Sequence, residues 1–137
     1  ANNDIFYQDN DIQSVGLEYL LKTSDVITLH LPLDNSTKNI LDKNRLKLIK
    51  KNAVLINLAR GGLIDEIELK KIISNGGISG LALDVFEIEP PIDNSFSMMK
   101  NVLITPHIGG STEEAIIAMG MAAIEGLENA EDPLTFV

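Results

Sequence analysis

Three residues in this sequence carry side chains suited to proton and anion chemistry, and each stands beside glycine, which frees the backbone, or proline, which restricts it. Arg60 precedes Gly61 and Gly62, and glycine lets a backbone approach a ligand closely. A guanidinium grips a carboxylate through two hydrogen bonds and polarises an adjacent carbonyl. His107 stands in Thr105-Pro106-His107-Ile108-Gly109-Gly110. Imidazole titrates near neutrality, so it can take up and return a proton at physiological pH. Glu89 precedes Pro90 and Pro91 in an irregular stretch from Glu87 to Ser97 that could reach His107. A carboxylate bonded to one ring nitrogen would fix the tautomer and favour the charged imidazolium. Taken singly, each residue has an ordinary reading: Arg60 in a surface ion pair, Glu89 solvated, His107 leading into a helix.

The elements that must position them are legible from periodicity. Val26–Leu29, Ala53–Leu58, Leu81–Leu83 and Val102–Ile104 are short, nearly continuous apolar runs. Such runs suit strands buried on both faces, as in a parallel sheet. Ile5–Tyr7 and Ile12–Val15 are weaker strand candidates. The intervals carry helical spacing: Leu17, Leu20 and Leu21; Leu46 and Ile49; Leu69, Ile72 and Ile73; and the long stripe Ile116, Met119, Ala123 and Leu127. Asp65 with Glu68, and Ser111 with Glu114, have capping-box spacing. Asn75-Gly76-Gly77 and Asp132-Pro133 are helix stops. Strands are expected near 26–31, 53–58, 80–84 and 102–105, and helices near 43–50, 65–75 and 112–129. The alternation predicts a doubly wound α/β domain with a parallel sheet. A polar group follows each strong strand: His30, Arg60, Asp84 and His107. Open parallel sheets bind ligands along that carboxyl edge. Any one of the four is explained by a strand reaching solvent; four in step point to a site.

Composition narrows the function classes. The 137 residues suit one domain, and a hydrophobic fraction of 45% suffices for a core. No apolar run approaches the ~18 residues of a membrane helix. The chain starts at Ala1 with no signal-peptide pattern, which is expected of a piece of something longer. With no cysteine there are no disulfides or thiolate metal sites, as in a reducing compartment; no metal is expected. Twenty acids against 11 bases give a net charge of −9, whereas a nucleic-acid surface needs clustered Lys and Arg. The one basic cluster, Lys47, Lys50 and Lys51, falls at a predicted helix end, where it would offset the helix dipole.

Four motifs together carry a resemblance. Asn57-Leu58-Ala59-Arg60-Gly61-Gly62, then Leu83-Asp84-Val85-Phe86-Glu87-Ile88-Glu89-Pro90, then Thr105-Pro106-His107-Ile108-Gly109-Gly110, preceded by Ser24-Asp25-Val26-Ile27-Thr28-Leu29-His30-Leu31-Pro32-Leu33, resemble the ordered signature of the D-isomer-specific 2-hydroxyacid dehydrogenases. The likeness runs from about Ile5 to the end, and Gly109–Ala115 is most similar to the phosphoglycerate dehydrogenase branch. The resemblance implies a Rossmann-like fold, NAD as cofactor and a small 2-hydroxy or 2-keto acid as substrate. It also implies a cytoplasmic homodimer that uses neither nucleic acid nor membrane. Arg60 would bind the substrate carboxylate and reacting oxygen. His107 would be the general acid/base and Glu89 its partner, and Asp84 would hold the nicotinamide carboxamide. Leu58, Ala59, Gly109 and Gly110 would lie along the nicotinamide; His30, Leu31 and Pro32 would flank the adenosine half; and Asp9 would meet the adenine ribose.

The sequence also departs from that pattern. It contains no Gly-x-Gly-x-x-Gly, the turn that binds pyrophosphate on the first strand of such domains. Residues 1–137 are therefore expected to be a partial NAD-binding domain lacking that first, central strand, with 112–137 as the C-terminal crossover helix and tail. Such a piece is expected to bind NAD weakly by itself, and an inactive fragment is one alternative. An NAD-sensing corepressor is another, and a formate dehydrogenase is disfavoured because it carries Gln where this chain has Glu89.

Overall fold

The computed structural model describes residues 13–129. Its elements begin where short polar side chains can accept backbone N–H groups left without helical partners. Helix α1 spans Leu17–Thr23 and leads into β1, Val26–Leu29. Asp42 accepts from the N–H groups of Asn44 and Arg45 and opens α2, Lys43–Leu46. Strand β2 is Val54–Asn57. Asp65 accepts from the Glu68 N–H and opens α3, Glu66–Ser74, which gives way to Gly76 at φ 66°. Strand β3 is Gly80–Leu83, a 3-10 turn covers Asn94–Met98, and β4 is Val102–Ile104. Thr112 caps α4, Glu113–Glu128, through the Ala115 N–H.

The strands and helices fall where periodicity puts them, with shorter ends. The departures have local causes. Asp65 makes only half of a capping box, because its own N–H bonds the Leu41 carbonyl while Glu68 pairs with Lys71 at 2.6 Å. The second cap is Thr112 instead of Ser111, whose N–H closes a turn onto the Ile108 carbonyl. Lys50, placed at the end of the expected helix 43–50, lies beyond α2 and does not serve it. It reaches Asp25 at 2.5 Å and the Thr23 carbonyl at 3.2 Å, so its charge sits at the end of α1. Gln13–Val15 is not a strand but the approach to α1. The Ile5–Tyr7 candidate, Asp9 and the Asp132-Pro133 stop lie outside the described residues.

All four strands run parallel in the order β1-β2-β3-β4, a Rossmann-like α/β sheet. Their register matters for function: Leu29 pairs with Asn57, Asn57 with Leu83, and Leu83 with Ile104. The next residues, His30, Leu58, Asp84 and Thr105, therefore stand side by side along one edge. On one face Ile27, Leu29, Leu55, Leu81 and Leu83 are buried with Leu21 of α1, Leu46 of α2, and Leu69 and Ile73 of α3. The expectation of strands buried on both faces is not met among the described residues. The opposite side chains are half-buried or exposed, with Val26 61% exposed, and α4 buries none of its residues.

Two substitutions test this core and its punctuation. Leu55→Ala, at a fully buried position of β2, is expected to cost about 2–5 kcal/mol. Asp65→Ala should cost about 1 kcal/mol through the lost cap. Urea denaturation reads both as shifts in midpoint at constant slope. An unmoved midpoint for Asp65→Ala would remove the cap from this account.

Candidate active site

The centre of the site is built on Asp84, the residue after β3, which is 2% exposed. A buried carboxylate is costly unless donors satisfy it, and here the loop after β4 supplies them. The Thr105 hydroxyl and the Ile108 N–H donate to Oδ1, and the Gly109 N–H donates to Oδ2 at 2.7 Å. Burial pushes the Asp84 carboxyl up, but those three donors and the neighbouring His107 outweigh it and hold the group below its ordinary value. A Cβ on Gly109 would stand 2.9 Å from Oδ2, tighter than real Cβ contacts run. The loop closes round the carboxylate with His107 at φ 54°, a left-handed conformation that is uncommon for a residue with a Cβ.

That conformation sets His107 against Glu89. Its Nδ1 lies 2.6 Å from Glu89 Oε2, and Glu89 Oε1 accepts from the Phe86 N–H at 2.9 Å. The His107 contact, then the Phe86 N–H, hold the Glu89 carboxyl below its ordinary value against some desolvation and the charge of Asp84. Both side chains stay partly open to solvent. With Nδ1 engaged by the carboxylate, Nε2 is the ring nitrogen left to exchange a proton. The pair forms one wall of a largely apolar cavity of about 310 Å³ that also involves Phe86, Pro90, Ile104 and Thr105.

Arg60 lies in a second, more open cleft of about 410 Å³ with His30, Leu31, Pro32, Leu58 and Ala59. Its guanidinium folds back to donate to the Ala59 carbonyl at 2.6 Å. His30 lies 3.0 Å from the Thr28 hydroxyl through Nε2. Leu31 and Leu58 are 39% and 50% exposed there, an apolar platform at the sheet edge. Asn57, 2% exposed, shapes the turn between: its amide donates to the Arg60 carbonyl and accepts from the Ala59 N–H. The loops that line the two clefts meet at Gly61, where a Cβ would fall 1.9 Å from the Phe86 carbonyl oxygen. Only a glycine lets the Arg60 loop pass the backbone of the Glu89 loop so closely. Gly110 has open space around its Cα.

The structure thus brings Glu89, His107 and Asp84 into one network and sets Arg60 and the His30 segment in the adjoining cleft. Sequence reasoning gave no role to Asn57 or Thr105, and it read Gly61 as room for a ligand where the structure sets the Phe86–Glu87 backbone against it. The signal for Asn57 was a lone amide inside an apolar run; Thr105 carried none beyond its motif.

The defining pattern of the D-isomer specific 2-hydroxyacid dehydrogenase, NAD binding domain, matches residues 2–109. The chain belongs to this family. It is 46% identical over 122 residues to D-3-phosphoglycerate dehydrogenase of Methanocaldococcus jannaschii, covering 85% of this chain and 23% of that one. It is 40% identical over 128 residues to glycerate dehydrogenase of Methylorubrum extorquens, covering 91% and 40%. The crystal structure of a glyoxylate reductase from Paecilomyes thermophila superposes with a TM-score of 0.80 at 34% identity, covering 85% of this chain and 35% of that one. The chain therefore spans between 23% and 40% of the length of these family members. Among the described residues no helix is long and apolar enough to cross a membrane.

The Asp84 network has a measurable acid signature. A carboxyl held below its ordinary value of 3.8 contributes stability that is full above that value and is lost as pH falls through the lower folded value. Asp84→Asn removes this contribution and turns an acceptor into an N–H₂ facing other donors. It should cost about 1–3 kcal/mol at neutral pH and flatten the acid limb of stability against pH. Urea midpoints measured from neutrality down to pH 2 would show it; an acid limb unchanged in the variant would rule Asp84 out as its source.

Proposed function

We propose that this chain is the partial NAD-binding domain, residues 1–137, of an NAD-dependent D-2-hydroxyacid dehydrogenase. That oxidoreductase acts on CH–OH groups, and residues 112–137 form its crossover helix and tail. The observation that carries this reading is the Glu89–His107 pair, 2.6 Å apart at the carboxyl edge of a parallel sheet and next to a cleft that holds an arginine. An acid/base and a guanidinium are what the interconversion of a 2-hydroxy acid and a 2-keto acid requires. The oxidation removes a proton from the hydroxyl and a hydride from C2; the reduction returns both.

The residues present fit a nicotinamide cofactor. The exposed Leu31 and Leu58 beside Pro32 offer flat apolar surface for ring systems, and Oδ2 of Asp84 accepts one bond from Gly109, which leaves it a lone pair. His30, Leu31 and Pro32 would flank the adenosine half. Leu58, Ala59, Gly109 and Gly110 would lie along the nicotinamide, with Asp84 on its carboxamide. Asp9, outside the described residues, would meet the adenine ribose. When bound, the cofactor supplies the hydride chemistry. His107 accepts the hydroxyl proton at Nε2 in oxidation and donates it in reduction. Glu89 holds the ring by Nδ1 and stabilises its charged form. Arg60 leaves the Ala59 carbonyl to grip the substrate carboxylate and polarise the C2 oxygen. The similarity to D-3-phosphoglycerate dehydrogenase favours a phosphoglycerate-like hydroxy acid as substrate.

The proton assignment has a directional signature. Reduction needs protonated His107 and oxidation needs it neutral, so loss of the Glu89 charge must move the two profiles in a known sense. In the full-length enzyme, Glu89→Gln should shift the upper pH limit of reduction downward and extend oxidation to lower pH. His107→Ala should slow both directions by roughly 10²–10⁴-fold. Profiles that stay in place for Glu89→Gln would remove Glu89 from the relay.

The same reading includes a homodimer working in the cytoplasm, in keeping with the absence of cysteine. Its support is α4, where Ile116, Ile117, Met119, Met121, Ile124 and Leu127 are each at least 50% exposed, more apolar surface than a lone chain tolerates. The 137-residue chain is accordingly expected to self-associate. A single monomeric species in light scattering across a rising concentration series would argue against it.

A further inference from the structure

We propose that Glu66, in the first turn of α3, is a positioning residue for the Glu89 loop: its carboxylate holds the Glu87 N–H and so sets where Glu89 meets His107. The inference rests on the acid–base reading of the His107–Glu89 pair. Glu66 Oε1 accepts from the Glu87 N–H at 2.6 Å, while Glu89 Oε1 accepts from the adjacent Phe86 N–H at 2.9 Å. Two consecutive amides of one strap are thus taken by two carboxylates, one from the helix and one from the loop itself. On its other side the strap lies against Gly61, with no room for a methyl group. Clamped between Gly61 and Glu66, the Phe86–Glu87 backbone has little freedom to move, and Glu89 follows only two residues later.

The surroundings of Glu66 suit this task. It is half-buried, and burial first, then the negative charges of Glu87 and Glu89, push its carboxyl up, against the Glu87 N–H and Lys70, which lower it. Lys70, one turn further along α3, is paired with Asp93 and lies 5.0 Å from the Phe96 ring centre. Glu66 therefore gives its acceptor to the strap, and among the described residues it joins no ion pair. Its hydrogen bond goes to the loop backbone and not to Glu89 or His107, and the charge it shares with Glu89 is removed equally by alanine and by glutamine, so the two variants separate the hydrogen bond from the charge.

The experiment compares Glu66→Ala and Glu66→Gln in the full-length enzyme. Glutamine keeps an acceptor oxygen for the Glu87 N–H; alanine does not. Glu66→Ala should lower kcat by about 10- to 100-fold, the scale of a misplacement near 1 Å. It should leave KM for the hydroxy acid within about twofold, since a loss confined to turnover leaves substrate binding intact. It should also displace the pH–rate profile toward that of Glu89→Gln, and Glu66→Gln should restore both kcat and profile. A fall in melting temperature with the profile in place, or a Glu66→Gln variant as impaired as Glu66→Ala, would overturn the proposal. A Glu89→Gln control whose own profile does not move would instead overturn the acid–base reading beneath it. Where Glu66→Ala fails to fold, Glu66→Asp serves: its shorter carboxylate should lower kcat and shift the profile in the same direction, and wild-type values for it would count against the clamp.

Discussion

A buried carboxylate has to be satisfied or neutralised, and the site follows from how Asp84 is satisfied. Its partners come from a segment more than 20 residues further along the chain. The Thr105 hydroxyl and the amides of Ile108 and Gly109 converge on it only if the chain turns sharply between them. That turn puts His107 at a positive φ, a conformation costing roughly 1–3 kcal/mol that must be held by its surroundings. Charge-assisted hydrogen bonds in a buried place are of the size needed to hold it. The imidazole is thereby aimed by backbone bonds at a neighbouring residue and does not depend on its own rotamer alone.

The sheet makes that convergence possible. Parallel register sets Leu29, Asn57, Leu83 and Ile104 in a row, so four chain segments leave the sheet at one level. The ladder runs one step past the strands, with the Asp84 N–H on the Asn57 carbonyl and the Thr105 N–H on the Leu83 carbonyl. Each functional loop therefore departs from a fixed point. Asn57 then shapes the Arg60 turn from within, and Gly61 lets that turn press against the Phe86–Glu87 backbone. One buried polar side chain per turn, together with one missing Cβ, couples the two clefts.

Much of this was legible in the sequence, for identifiable reasons. Apolar runs of three to six residues separated by helical stripes can hardly be anything but a parallel α/β sheet, and residues that close such runs must share an edge. Arg60, Glu89, Asp84 and His107 were legible because their chemistry is conspicuous. The reach of Glu89 to His107 was only a possibility, since 18 residues of separation fix no distance. What stayed hidden depended on partners remote in sequence. Glu66 carried no signal in the sequence, and only the fold puts the Glu87 amide against it. Lys50 read as a charge for its own helix, yet packing gave it to α1. The open second face of the sheet was missed because apolar runs report a side chain's character but not what covers it.

The two halves of the site differ in readiness, and the difference is physical. His107 and Glu89 are already in contact, anchored by backbone bonds at both ends. Arg60 instead spends one N–H on a neutral carbonyl of its own neighbour and is otherwise open to solvent. In the proposed role, a substrate carboxylate, charged and able to take two parallel hydrogen bonds, would outcompete that carbonyl for the guanidinium. Releasing the Ala59 carbonyl costs little, because the group lies at the rim where water can replace the lost donor. In the proposed reading, an acid–base pair would have to hold its geometry while protons move, and rigidity would serve it. A guanidinium proposed to meet a ligand that arrives and leaves would be kept near that task by a weak resting contact that does not oppose the exchange.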